Sequence, residues 1–393
     1  MVRMGVVGYG GRISGVVEHL LRAVEPDLRV VAVVDPDEAG ARSRLAACDK
    51  RGAVFYRDFD TMMRQARLDA IAIGTRCNLH APYAMQAARY DVPLYLEKPV
   101  AINLEQATAL ERAYEGSRCR VVVSFPLRVS PLCELARQYI AEGAVGEPVH
   151  VTAVNYVPYG TCYWEAGYRN WDITQGLFLQ KATHDLDYLS YLMGQPIVRV
   201  AAMATRFKVF GGGKAAGLRC SGCDETATCR ESPQNRVRVF GGKPHDHLCL
   251  YSVDCGNPAT GTNEDCSSAL LQFANGAHGV YTQVFYTRRD GGARGATVSG
   301  YLGSVGFDWY TNELKRVRHF QPFSATEKAG GGASHFGGDG ELARDFIALV
   351  RGAPTSRTPV WMGIQSVYAC LAAKQSSETG QFVAVRQVGQ AGA

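Results

Sequence analysis

Met4-Gly5-Val6-Val7-Gly8-Tyr9-Gly10-Gly11-Arg12-Ile13 is the first legible unit of the chain: an apolar strand, a glycine turn, and the start of a helical stretch. Glycines at Gly8, Gly10 and Gly11 let backbone amides and a helix N-terminus approach a pyrophosphate with no Cβ in the way. Arg12 and Ile13 complete the turn as candidate cofactor neighbours. The third glycine of the full dinucleotide fingerprint falls at Ile13, a departure that weakens the motif, and a glycine turn without a ligand is its plain alternative. The following strand favours a dinucleotide. It ends in Asp35, whose carboxylate can accept both ribose hydroxyls of NAD and would repel a 2′-phosphate. NAD is therefore expected over NADP, with Arg42 and Arg44 keeping NADP open.

Working outward, residues 1–125 alternate β-branched runs at 5–8, 29–35, 69–74, 94–97 and 120–124 with helical stretches at 14–24, 38–48, 59–66, 80–90 and 104–115. Such alternation predicts βαβ units on a doubly wound parallel sheet, a Rossmann domain. A further helix is predicted at 135–142. From there to residue 393 the pattern changes to strands at 149–154, 198–207, 268–273, 278–285 and 296–300, with one strong helix near 185–193. An α+β domain on a large antiparallel sheet is expected, for substrate binding and oligomerisation. Residues 211–263, rich in Gly, Cys and Pro, read as an irregular insertion. At 393 residues, two domains are the natural expectation.

Tyr95-Leu96-Glu97-Lys98-Pro99 is more specific than the glycines. With Thr75-Arg76-Cys77-Asn78-Leu79-His80, Phe125-Pro126-Leu127-Arg128, Gly143-Ala144-Val145-Gly146-Glu147 and Lys181-Ala182-Thr183-His184-Asp185-Leu186-Asp187, it resembles the glucose-fructose oxidoreductase and inositol dehydrogenase family, Gfo/Idh/MocA, over nearly the whole chain. The resemblance implies that Lys98 reaches a substrate hydroxyl and the nicotinamide ribose. It also implies that Thr75, Asn78, His80 and Glu97 lie along the cofactor and that His184 sits beside the reacting carbon. Many members carry an acidic residue one helical turn before that histidine, where this chain has Gln180.

The residues carry the chemistry without the name. Oxidising a secondary alcohol needs hydride departure to nicotinamide C4 and a base for the hydroxyl proton, which a histidine supplies near neutral pH. A lysine stabilises the developing alkoxide or relays the proton. His184 is thus expected as general base and Lys98 as its electrostatic partner. Read singly, Lys98 is a solvated surface lysine and His184 a helix-start histidine. Substrate contacts are expected from Arg128, Tyr159, Tyr163, Trp164, Gln180 and Lys181, the aromatic stretch being alternatively a subunit interface. Arg288 and Arg294 could meet an anionic substituent or face solvent, and His335 with Asp339 is a weaker candidate for a lid. An NAD-dependent dehydrogenase of a sugar, glycoside or cyclitol leads. Its rivals are an NAD-dependent glycosidase working by transient ring-carbon oxidation, elimination and hydride return, and a non-enzymatic sugar sensor.

Cys220-x2-Cys223-x5-Cys229 and the later Cys249 offer four thiols to one structural zinc, with iron–sulfur or reduced thiols as alternatives and His245 or His247 as substitutes for the last ligand. Cys255 and Cys266 are left over. The chain is 46% hydrophobic and 20% charged, with a net charge of +5 and no run of like charge, so nucleic acid is not an expected partner. No segment approaches eighteen apolar residues and no leader precedes the first strand, which predicts a cytoplasmic protein without a membrane span. A homodimer or homotetramer is expected.

Overall fold

The computed structural model describes residues 1–254, 262–330, 332 and 334–390; Cys255 lies outside them. The valine-rich runs of the first third form a parallel sheet of Arg3–Val7 (β1), Arg29–Val34 (β2), Val54–Phe55 (β3), Ala70–Ile73 (β4), Leu94–Leu96 (β5) and Val121–Val123 (β6). Its order is β3-β2-β1-β4-β5-β6, with every neighbouring pair parallel. That is the Rossmann order, in which the glycine turn after β1 lies beside the point where strand order reverses and ligands bind. The expected helix at 14–24 is a continuous helical run from 11 to 24 whose middle, Val16–Leu21, is π-helical.

The two faces of this sheet bury different residues, because successive side chains of a strand point to opposite sides. Met4 and Val6 of β1 join Ile13, Val16, Tyr95 and Val122 in one apolar cluster, which the helix Gly338–Val350 completes with Leu342, Phe346 and Ile347. Val7, Ile73, Leu96 and Val123 face the other way. Their core continues without a break into the second sheet, through Phe125, Phe178, Leu186 and Tyr281. The helix Gly338–Val350 is therefore part of this face of the first sheet, although it is distant in sequence.

The second sheet consists of Pro148–Tyr156 (β7), Ile197–Thr205 (β8), Cys266–Phe273 (β9), His278–Val284 (β10), Ala293–Gly300 (β11), Gly303–Asp308 (β12), Glu313–Arg318 (β13), Phe323–Glu327 (β14) and Val383–Ala384 (β15). They lie in the order β14-β13-β12-β11-β7-β10-β9-β8-β15. The sequence reading is corrected in three ways. The β10–β7 pair is parallel within an otherwise antiparallel sheet. The strands β12 to β14, whose Glu313-Leu314-Lys315-Arg316-Val317-Arg318 segment is mostly charged, were not anticipated. Nor was the long helix Val360–Thr379, which buries apolar residues on several sides and so carries no amphipathic stripe. Within the segment expected to be irregular, Pro233–Phe240 forms a helix capped by Ser232. No helix among the described residues is long and apolar enough to cross a membrane.

Phe346 is fully buried and meets Tyr95 edge to face, with ring centroids 5.6 Å apart. Replacing it by alanine is expected to cost about 3–5 kcal/mol in a denaturant titration, as a truncated core aromatic does. A loss below about 1 kcal/mol would show that the helix Gly338–Val350 is not part of this core.

Candidate active site

The glycine turn leaves β1 with Gly8 at φ +78°, where a Cβ would stand 2.8 Å from the backbone of Thr75; glycine is required there. Gly10 and Gly11, by contrast, have nothing within 4 Å of their Cβ directions, so the space over the turn is open. Asp35 is held at its rim, accepting from the Tyr9 amide at 2.7 Å and the Asp37 amide at 2.8 Å. Arg44 donates to the Tyr9 carbonyl at 2.8 Å, and Arg42 pairs with Glu38. The open backbone cradle with a carboxylate at its edge suits a dinucleotide whose ribose lacks a 2′-phosphate.

Arg12 is committed elsewhere than expected. Its guanidinium meets Glu97 at 3.0 Å and grips Asp339 through both terminal nitrogens at 2.9 and 2.7 Å. Its side chain thus joins three loops, and its backbone is what remains for a cofactor. His80 is likewise a tie between loops: its Nδ1 lies 2.8 Å from the Pro99 carbonyl and its Nε2 3.1 Å from that of Thr75. Burial holds this imidazole below its ordinary value. Asn78, on the same turn, keeps a buried side-chain oxygen without a partner.

Lys98 follows β5, at the carboxyl end of a parallel strand. Its ammonium donates to the backbone carbonyl of Gln180 at 2.7 Å. Burial, and next to it the charge of Lys181, depress its pKa to about 8. His184 opens the helix Thr183–Met193, with a buried Nδ1 that has no partner. Phe125 meets its ring edge-on at 6.0 Å. Burial first, then Lys98 and Arg294, push the imidazole well below its usual value, so it stands neutral at physiological pH. Gln180 likewise leaves its side-chain oxygen buried and unpartnered. These unpartnered buried polar atoms are what a hydroxylated ligand would satisfy.

Lys181 donates to the Tyr159 hydroxyl at 2.8 Å. Burial raises that phenol, but Lys181 and Arg294 together outweigh it and bring its pKa below the ordinary value. Arg294, which the sequence left as an anion contact or a surface residue, is fully buried. It forks onto Asp185 at 2.8 to 3.0 Å, and Asp185 also accepts from Asn155 at 2.8 Å and Tyr281 at 2.9 Å. The fork pins the first turn of the His184 helix to β7, β10 and β11.

Other expected residues stand apart. Arg128 pairs with buried Asp187 at 3.1 Å and lines a cavity of about 310 Å³ with Tyr191 and Met362, among whose walls neither Lys98 nor His184 is found. Tyr163 and Trp164 pack with Phe210, Leu250 and Phe285 in a small apolar cluster, leaving Tyr159 as the aromatic beside Lys181. Arg288 pairs with Glu231. The zinc expectation is corrected: among the described residues no three His, Cys, Asp or Glu side chains are grouped to hold a metal ion. Cys220 turns instead toward His247, with Sγ 3.7 Å from its Nε2, and the Tyr251 amide donates to Cys249. Burial, with the neighbouring Cys249 and Cys229, pushes the Cys220 thiol up to about 11. Missed altogether was the Arg12–Asp339 pair, whose partners lie at opposite ends of the chain and leave no local pattern.

Residues 2–125 match the family of oxidoreductases with an NAD-binding Rossmann fold, Gfo/Idh/MocA, and residues 133–305 match the Gfo/Idh/MocA C-terminal domain. The chain belongs to this family. The inositol 2-dehydrogenase of Rubrobacter xylanophilus is 28% identical over 205 residues, 51% of this chain and 54% of the relative. That of Rhizobium meliloti is 29% identical over 207 residues, 52% of this chain and 58% of the relative. The chain thus spans about half the length of the curated relatives it matches. Levoglucosan dehydrogenase in complex with NADH and L-sorbose superposes with a TM-score of 0.75 at 18% identity, covering 99% of this chain and 100% of that one. An NAD binding oxidoreductase from Klebsiella pneumoniae gives 0.72 at 22%, covering 98% and 99%. At these identities the likeness is one of fold.

A lysine with a depressed pKa makes stability depend on pH in a definite direction. Between about 8 and the ordinary 10.5, the unfolded chain binds a proton at Lys98 that the folded chain does not, so folding stability rises with pH there. Lys98→Met should remove this increment. Calorimetric melting of both proteins from pH 7 to 10 is expected to show wild type gaining on the variant as pH rises, and a difference that stays constant would contradict the depressed amine.

Proposed function

We propose that this chain is an NAD-dependent oxidoreductase that transfers a hydride between nicotinamide and a carbinol of a sugar, glycoside or cyclitol. The observation that carries this reading is a half-buried lysine of depressed pKa at the carboxyl end of a Rossmann strand, whose charge bears on a buried histidine with an unpartnered Nδ1. Residues 1–125 hold the cofactor, and residues 126–393 close the substrate site and mediate assembly into a homodimer or homotetramer. The names of the relatives support a polyol substrate. A cytoplasmic setting, in which buried thiols such as Cys77, Cys119, Cys133 and Cys370 stay reduced, is part of this reading.

NAD, when bound, supplies the hydride acceptor. Gly8, Gly10, Gly11 and the backbone of Arg12 and Ile13 would hold its pyrophosphate and Asp35 its adenosine ribose, with Thr75, Asn78 and Glu97 along its length. Lys98, Lys181 and Arg294 place positive charge around the substrate oxygen, which lowers the acidity threshold for losing its proton. A weakly basic imidazole then suffices, and His184 takes that proton. Gln180, which carries no charge, orients a substrate hydroxyl instead of accepting its proton. Tyr159, held by Lys181, faces the same space.

With purified full chain, NAD and either an inositol or levoglucosan as probe, NADH formation is the expected outcome. Lys98→Ala and His184→Ala should each lower kcat by two or more orders of magnitude, with NAD affinity within a few-fold. Near-normal turnover in either variant would refute the assignment, and aglycone release from aryl glycosides without net NADH would replace it by the glycosidase reading. Asp35→Ala should weaken NAD and narrow its preference over NADP in titration calorimetry; unchanged binding of both would move the ribose site elsewhere.

A further inference from the structure

Oxidation of a carbinol releases one proton per turnover: the C–H pair leaves as hydride to oxidised nicotinamide, and the O–H proton goes to the base. The base here lies under the field of Lys98, Arg294, Lys181 and His335, the charged and titratable groups that bear on it. A protonated His184 in that company is unfavourable and must be relieved before the next turnover.

One feature outside the expected machinery meets this need. The ring of His335 lies 5.8 Å, centroid to centroid, from that of His184, inclined at 43°. Its Nδ1 is 2.8 Å from the Asp339 carboxylate. Asp339 is entirely buried and also accepts from Arg12 and from the Ser334 hydroxyl. Burial works against this carboxylate, but the hydrogen bonds from His335 and Arg12 outweigh it and hold its pKa well below the usual range. A carboxylate accepts only, so Nδ1 carries the proton and Nε2 is left as an acceptor. The His335 side chain is 32% exposed, whereas His184 is buried. His335 and Phe336 hold φ of 42° and 55°, a region that non-glycine residues occupy only when neighbours enforce it, and Phe336 stacks on Trp309 at 5.8 Å. The ring is fixed on a set backbone.

We propose that His335, oriented by Asp339, receives the proton from His184, directly or across one water or hydroxyl, and delivers it to solvent. The proton passes from the carbinol oxygen to His184, then to His335 Nε2, then to water, and both imidazoles return neutral. His335 is thus a positioning residue for the exit of the proton, acting through His184. Arg12 couples it to the cofactor turn, because the same guanidinium grips Asp339 and Glu97. This inference rests on the oxidoreductase reading for its direction of flow, but the coupling of the two rings does not.

Two measurements separate those claims. Long-range nitrogen–proton NMR of the full chain labelled at histidine is expected to show His335 protonated on Nδ1, and to show the His184 titration moving upward in His335→Gln, since His335 is one of the groups that depress it. A His335 protonated on Nε2, or a His184 titration unmoved by the substitution, would overturn the proposal whether or not a substrate is found. With inositol or levoglucosan and NAD, His335→Ala should lose about 10- to 100-fold in kcat with KM within a few-fold, and added imidazole should restore part of it, which no purely structural defect would allow. Unchanged kcat, or a loss that imidazole does not touch, would likewise overturn it. Should wild type oxidise neither probe, the substrate reading fails, and the NMR result alone decides the coupling.

Discussion

Burying several positive charges at the junction of two sheets is the constraint around which this molecule is organised. Lys98 arrives from the end of a Rossmann strand, Arg294 from β11, and Lys181 and His184 from the segment between β7 and β8. Each cation is tolerated through a different partner. The Lys98 amine has a backbone carbonyl, Lys181 a phenol, and Arg294 the carboxylate of Asp185. Only the last is a full ion pair, and its strength comes from geometry: two guanidinium nitrogens on one carboxylate, whose remaining lone pairs are taken by Asn155 and Tyr281. Removing one member of so dry a pair would leave an uncompensated buried charge, at a cost of about 3–5 kcal/mol.

The same charges explain how a weakly basic histidine could serve an alcohol oxidation. Electrostatic stabilisation of an alkoxide and basicity of the proton acceptor are interchangeable contributions to one transfer. Where the first is large the second can be small, and its very weakness then requires a route by which the proton leaves. Arg12, Glu97 and Asp339 form the counterweight, a network that binds the cofactor turn, the loop of Lys98 and the start of the last Rossmann-side helix into one unit. The glycine turn, the loop of Lys98 and the helix Gly338–Val350 are held in register by side chains whose own charges are spent on each other.

Much of the fold was legible because its strands are buried on both faces and therefore read as apolar runs: β1, β2, β4, β5 and β6 are all where the sequence puts them. What escaped did so for physical reasons. The two residues of β3 are too few to carry a period, and the charged face of β13 imitates a loop. The helix Val360–Thr379 is buried on too many sides to show a stripe. In the candidate site, Lys98 and His184 were singled out by the family resemblance, since read singly each has an ordinary structural explanation. Tyr159, Tyr163 and Trp164 could not be told apart: neighbours in one aromatic run, they diverge only when Phe210 and Phe285 claim two of them for an apolar cluster. Arg12 and Arg128 were assigned to ligands although buried carboxylates from distant segments had already engaged them. The cysteine spacing suggested a metal; in the structure Cys220 lies against His247 and Cys249 accepts from the Tyr251 amide.

The central claim is that a neutral His184 acts beside a charged Lys98, and the pH dependence of kcat/KM for NAD-dependent polyol oxidation tests it most directly. A bell is expected, with an acid limb well below the ordinary histidine value, where His184 becomes protonated, and an alkaline limb near 8, where Lys98 loses the charge that stabilises the alkoxide. A rate that climbs through pH 8 and levels off above it would contradict the account and make the neutral lysine the base.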